Sequence, residues 1–276
     1  MKKLGSVIGR IYMGLIMFFL YAPILVLIVY SFNANNSRSV FGGFSLKWYG
    51  ELFHNSMVLE SLYTTLLVSV LAALIATVLG TFASIGFFTM KKRWREPLLA
   101  VNNIPMMNAD IVTGVSLCLL FVAAGSILGF TNGFGTLLIA HITFNVPYVI
   151  LSVMPKLQQL DRNLVDAAQD LGCTWMQAFW KVIVPEIRPG IVNGALIAFT
   201  MSIDDFIISY FTSGTNAQTL AVTIFSMTKK RVTPEINALS TLLFVTVLTL
   251  LLVVNVRTSR QEKRRLKAER ALRNSL

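Results

Sequence analysis

Charge is what this sequence has least of. Only 13% of its 276 residues are Asp, Glu, Lys or Arg, about half the 25% usual in a soluble domain. That deficit excludes a soluble globular enzyme. Cysteine is almost absent as well: Cys118 sits in an apolar run and Cys173 in a polar stretch, so there is no disulfide framework. Histidine is limited to His54 and His141, both expected to be structural or incidental. No His/Cys cluster of metal-ligand spacing and no H-E-x-x-H occurs, so no metal site is expected. No G-x-x-x-x-G-K-[ST] phosphate loop is present either, so ATP binding through that device is excluded and no cofactor is expected. Nor is there a nucleophile–base constellation, so no catalytic residue is assigned and an integral membrane enzyme is a distant alternative.

What the sequence does have is long uncharged runs. Ile11–Ser37, Ser61–Met90, Ile111–Pro155 and Ile236–Val256 carry no formal charge over 27, 30, 45 and 21 residues. A membrane-spanning helix needs about 20 predominantly apolar residues, so the chain is a polytopic, all-α membrane protein. Six spans are expected, at 11–32, 63–88, 98–124, 133–154, 190–212 and 236–256. They form a transmembrane domain over 11–256 between a short tail, 1–10, and a basic tail, 257–276. The 45-residue run is too long for one helix, and Gly125, Gly129, Asn132, Gly133 and Gly135 supply turn chemistry to divide it. The first apolar run, at about 20 residues, exceeds the 7–15 of a cleaved signal peptide and is read as a retained span.

Basic residues set the orientation. Of the 24 Lys and Arg, 19 fall in the N-terminal tail, the 89–97 loop, the 155–189 loop and the C-terminal tail. Cytoplasmic segments carry the Lys/Arg excess, so both termini are expected inside. Lys229, Lys230 and Arg231 run against the rule on the outer side, where they are expected to meet an external protein. The net charge of +11 is assigned to anionic lipid, worth about 1 kcal/mol per juxtamembrane Lys or Arg, and not to nucleic acid.

The 155–189 loop has its own pattern. Leu157, Leu160, Leu164, Ala168 and Leu171 recur at helical spacing. Gly172 stands where a left-handed residue ends a helix. Thr174 with Gln177 makes a capping-box pattern for a second helix, which Pro185 and Pro189 are expected to close. Spacing alone leaves two readings level: a cytoplasmic stub covering the bundle, or a helix presented to a groove on a soluble partner.

Asp166-Ala167-Ala168, three residues, Gly172, nine residues, then Val182-Ile-Val-Pro185 resembles the EAA signature of ABC-importer permeases. The spacing agrees throughout. Asp166 replaces the usual Glu, and Val182 and Val184 replace Ile and Leu. Pro105–Val112, Ser202–Asp205 and Ser226–Ala238 are similar to segments of the spermidine/putrescine permeases, and the likeness covers nearly the whole chain. The resemblance implies the type I ABC-importer permease fold with cytoplasmic coupling helices, in a bacterial inner membrane. It assigns ATPase coupling to Asp166, Ala167, Ala168, Gly172 and Pro185. It implies a second permease subunit, two copies of a cytoplasmic ATPase, an extracytoplasmic polyamine-binding protein and polyamine cargo. The alternatives are an ABC permease for another small solute such as Fe³⁺, and a proton-coupled secondary transporter.

Asp110, Asp204 and Asp205 lie within apolar runs. Unpaired at a helix centre, three such acids would cost roughly 8–10 kcal/mol, and intramembrane ionisable groups are functional by default. On a regular helix, neighbouring side chains diverge by about 100°, so Asp204 and Asp205 cannot aim at one point. Ser202, Asp205 and Ser209 form one polar stripe; Asn193, Thr200 and Asp204 form another. One stripe is expected to face the transport pathway and the other a neighbouring helix. Tyr148 and Tyr210, with Phe206 and Phe211, are candidates for cation–π contact at about 0.5–2 kcal/mol.

Overall fold

The uncharged runs form long helices. The structure, a computed structural model, describes residues 2–35, 40–230, 235–249, 252 and 256. Among the described residues every regular element is helical, save one antiparallel bridge between Asn33 and Phe44. Gly9–Ser31, Ser56–Thr89, Asp110–Leu128, Phe134–Gln158 and Trp175–Asp204 are long and apolar enough to cross a membrane. The chain is therefore an all-α multi-pass membrane protein. It divides into two compact units, residues 57–225 and residues 1–56 with 226–276.

The smaller unit contains α1 (Lys2–Ser31), α2 (Lys47–Leu52) and α12 (Glu235–Thr249). From Ile11 to Tyr21 α1 is exposed on every face although almost wholly apolar, as befits a helix surrounded by lipid or other protein. Its end is fixed by polar contacts. Trp48 Nε1 donates to the Asn33 carbonyl at 2.6 Å, and the Ser31 and Tyr49 hydroxyls are 2.8 Å apart. Asn55 Nδ2 donates to Glu235 Oε1 at 2.9 Å, joining α12. The expected tail 257–276 and the end of the sixth expected span lie outside the described residues.

The larger unit is built on α6 (Phe134–Gln158), which packs against α3 (Ser56–Thr89) and α9 (Val184–Asp204). Lipid offers no hydrophobic drive for helices to associate, so close approach through small residues supplies the packing. A methyl group at Gly80 would stand 2.7 Å from Val149, and one at Gly190 would stand 3.0 Å from the Ser152 carbonyl. Ala73, Ala76, Val149, Val153, Leu157, Ile187 and Ala198 fill the seam between these three helices.

Three expected elements differ in detail. The stretch expected as one helix over 98–124 is two, α4 (Lys92–Met107) and α5 (Asp110–Leu128), because Asn108 and Ala109 are extended. The stretch expected over 190–212 is α9 followed by α10 (Ile207–Thr212), with a break at Asp205–Phe206. Pro185 and Pro189 do not close a helix. After α7 (Arg162–Asp170) and α8 (Trp175–Ala178), a π-helical turn over Phe179–Ile183 runs straight into α9. There Val184 N–H reaches back five residues to the Phe179 carbonyl. This wider turn, with Pro185 in the first turn of α9, spares the proline ring its clash with the preceding turn.

Candidate functional site

The break in the fifth span separates its two acids. Asp205 turns inward. Its carboxylate accepts from Ile208 N–H at 3.2 Å and from Ser209 N–H at 2.7 Å, so it caps α10. Its Oδ2 lies 3.5 Å from His141 Nε2 of α6; the two side chains are 8% and 1% exposed. His141 Nε2 also shares a 3.1 Å hydrogen bond with Ser209 Oγ, and one turn further along α6, Asn145 Nδ2 donates to Ser202 Oγ at 2.7 Å. The stripe Ser202, Asp205 and Ser209 thus faces α6. His141 Nδ1 and Asn145 Oδ1 are buried with no hydrogen-bond partner among the described residues.

Asp204 turns outward and is exposed. It is the last residue of α9, where the final carbonyls lack helical partners and the helix carries about half a negative charge. Carboxylate and dipole therefore coincide at one point in the interrupted span. Beside it stands an aromatic group: Phe206 lies 5.6 Å from Tyr210 and 4.6 Å from Phe225 between ring centroids. Tyr210 is also 5.4 Å from Phe211, and it is exposed. Phe225, in α11 (Leu220–Lys230), is a member that sequence reasoning missed, since it lies beyond the expected end of span five.

Asp110 opens α5, exposed in its first turn, where the helix dipole favours an acid. It is close enough to Tyr148 of α6 for the two to interact electrostatically. Tyr148 packs on Phe144 at 5.3 Å in a cluster with Phe121, Ala140 and Ile208. This cluster joins the middle of α5 to α6 and α10.

The loop residues form a compact element. Asp161 caps α7 through Asn163 N–H at 3.0 Å. Gly172 has φ +85°; its N–H donates to the Gln169 carbonyl at 2.8 Å, and Cys173 N–H donates to the Ala168 carbonyl at 3.0 Å. Those two bonds make a Schellman motif, which needs a left-handed residue at Gly172. The Thr174–Gln177 capping box is formed in both directions, at 3.1 and 3.3 Å. Asp166, Ala167, Gly172 and Pro185 are exposed and Ala168 is half-buried. Around them Leu164, Leu171, Trp175, Met176 and Trp180 are exposed as well, an apolar surface of the kind that marks a protein contact.

Among the described residues no group of His, Cys, Asp and Glu is placed to hold a metal ion. Residues 76–267 match the family described as binding-protein-dependent transport system inner membrane component. The putrescine transport system permease protein PotI of Escherichia coli (strain K12) is 39% identical over 82% of this chain and 81% of its own length. The spermidine/putrescine transport system permease protein PotC of Haemophilus influenzae is 37% identical over 88% of this chain and 92% of its own. Among solved structures, a bacterial ABC transporter involved in the import of the acidic polysaccharide alginate superposes with a TM-score of 0.71 at 14% identity, covering 92% of this chain and 96% of that one. The MetNI methionine ABC transporter, in inward-facing form, gives 0.59 at 18% identity over 74% and 93%.

Proposed function

The chain belongs to the family of binding-protein-dependent transport system inner membrane components, and on that premise we propose that it is the permease subunit of a polyamine importer. The observation that carries this reading is Asp204, exposed at the C-terminal end of α9 inside a broken span. Discontinuous transmembrane helices use such ends to coordinate cations. A protonated diamine or triamine entering a low-dielectric cavity loses hydration that fixed negative charge must replace. Asp204 and Asp110 supply it, and Tyr148 and Tyr210 add aromatic faces for the ammonium groups. Asp205, turned towards His141, holds the break open from behind.

ATP hydrolysis belongs to a partner. Asp166, Ala167, Ala168, Gly172 and Pro185 belong to the element that docks on a cytoplasmic ATPase, two copies of which serve this chain and a second permease subunit. Leu171 and Trp175 enter the ATPase groove. An extracytoplasmic polyamine-binding protein delivers the cargo, and both termini lie in the cytoplasm. Uptake of labelled putrescine into vesicles holding the complete assembly tests the reading. It is expected to require ATP and to be competed by spermidine. Competition by Fe³⁺ and not by spermidine would replace the cargo.

A further inference from the structure

A second polar feature stands apart from the interrupted span. A cavity of about 430 Å³ is lined by Met57, Glu60, Ser61 and Thr64 from one stretch of the chain and by Thr215, Asn216, Gln218 and Thr223 from another. Small-molecule sites usually measure about 300–1,000 Å³. One wall is the first turns of α3; the other is the segment between α10 and α11 together with the first turn of α11, which carries Thr223. The walls are tied together, since Leu220 N–H donates to Thr65 Oγ1 at 2.7 Å and Thr65 Oγ1 donates to the Ser61 carbonyl at 2.7 Å. Ala217 packs with Val68 and Leu137 just beneath.

The lining is chemically one-sided. It holds one carboxylate, four hydroxyls, two carboxamides and a thioether, and no Lys, Arg or His, in a chain whose net charge is +11. Glu51 and Glu96 stand near their own lysines, Lys47 and Lys92, at 3.5 and 3.6 Å. Glu60 makes no such ion pair among the described residues. Hydroxyl and carboxamide oxygens are acceptors for N–H donors, a carboxylate makes the stronger charge-assisted bond, and Met57 offers an apolar, polarisable surface to methylene groups.

We propose that this cavity is an outer cation site that takes one ammonium end of an aliphatic di- or triamine, with Glu60 as its charged ligand. It deepens the polyamine reading and rests on it. In the topology expected from the basic residues, both walls lie on the side of the membrane opposite the Asp166–Pro185 element, so an incoming amine meets Glu60 before it reaches Asp204. Oriented acceptors at the mouth of a cleft raise the local concentration of a cation.

Equilibrium dialysis of labelled putrescine tests the site. It uses the purified permease–ATPase assembly without the binding protein, as wild type, Glu60→Gln and Glu60→Asp. Glu60 is exposed, so the isosteric amide leaves the fold intact, which the elution profile of the assembly checks. The expected result is binding about tenfold weaker in Glu60→Gln, equivalent to losing one charge-assisted bond, and largely restored in Glu60→Asp. Equal binding by wild type and Glu60→Gln overturns the site. ATP-driven uptake is measured in parallel on the wild-type assembly in proteoliposomes with the binding protein added back. Its absence overturns the polyamine reading itself, whereas uptake with equal binding overturns the outer site alone.

Discussion

The carboxylate of Asp205 lies 3.5 Å from the imidazole of His141, and both side chains are buried. Asp205 also accepts two N–H bonds from the start of α10. One acid therefore caps a helix end and lies against a buried histidine. Replacing it with Ala leaves two N–H donors at the start of α10 without their acceptor and removes the carboxylate beside His141. We expect Asp205→Ala to cost about 1–3 kcal/mol and to lower the yield and the melting temperature of the purified assembly. His141→Ala should have the same sign and a smaller size, because the cap survives. Unchanged melting in Asp205→Ala would show that α10 is held by other contacts.

The turn at Gly172 gives a second expectation. At φ +85° any side chain is strained, although a Cβ there would meet no neighbour. Gly172→Val should cost about 1–2 kcal/mol locally, undoing the Schellman bonds to Gln169 and Ala168 without disturbing the membrane helices. We expect normal insertion, retained ATP hydrolysis and much reduced uptake. Asp166→Lys, which reverses a charge on exposed α7, should weaken ATPase retention on affinity purification. Normal uptake together with normal retention in both variants would reduce this element to a cover for the bundle.

Much of this was legible in the sequence for a simple reason: a span needs only length and apolarity, and the loop needs only glycine and capping spacing. Gly172, Thr174 and Gln177 do locally what their residue types do anywhere. The break at Asp205 was hidden because the same apolar residues, Ile207 and Ile208, suit a continuing helix as well as a new one. Only the side chain's choice of the Ile208 and Ser209 N–H groups decides between them. The stretch over 98–124 was ambiguous in the same way, since Pro105 sits inside α4 and the chain breaks three residues later. His141 was readable only as structural or incidental, because its partner, Asp205, is 64 positions away on another helix. Phe225 joins Phe206 across a turn whose path no periodicity encodes.

Orientation is a third expectation. From the 19-to-5 division of basic residues, the C-terminus and the Lys156–Pro189 segment are expected in the cytoplasm. Alkaline phosphatase fused after Leu276 should be inactive, and the same reporter inserted after Lys47 should be active. An active C-terminal fusion would invert the map and detach the Asp166–Pro185 element from any cytoplasmic ATPase.

The central claim is that Asp204 carries the cargo while its neighbour Asp205 carries the fold. The most direct measurement is ATP-driven putrescine uptake in proteoliposomes holding the complete assembly, comparing wild type with Asp204→Asn at fixed ATP. The amide keeps volume and some hydrogen bonding but removes the charge at the end of α9. The account predicts that Asp204→Asn assembles and melts like wild type yet imports at least about tenfold more slowly, as expected if a single charge replaces lost hydration. Wild-type uptake by Asp204→Asn would contradict it, because the broken span would then hold no part of the substrate.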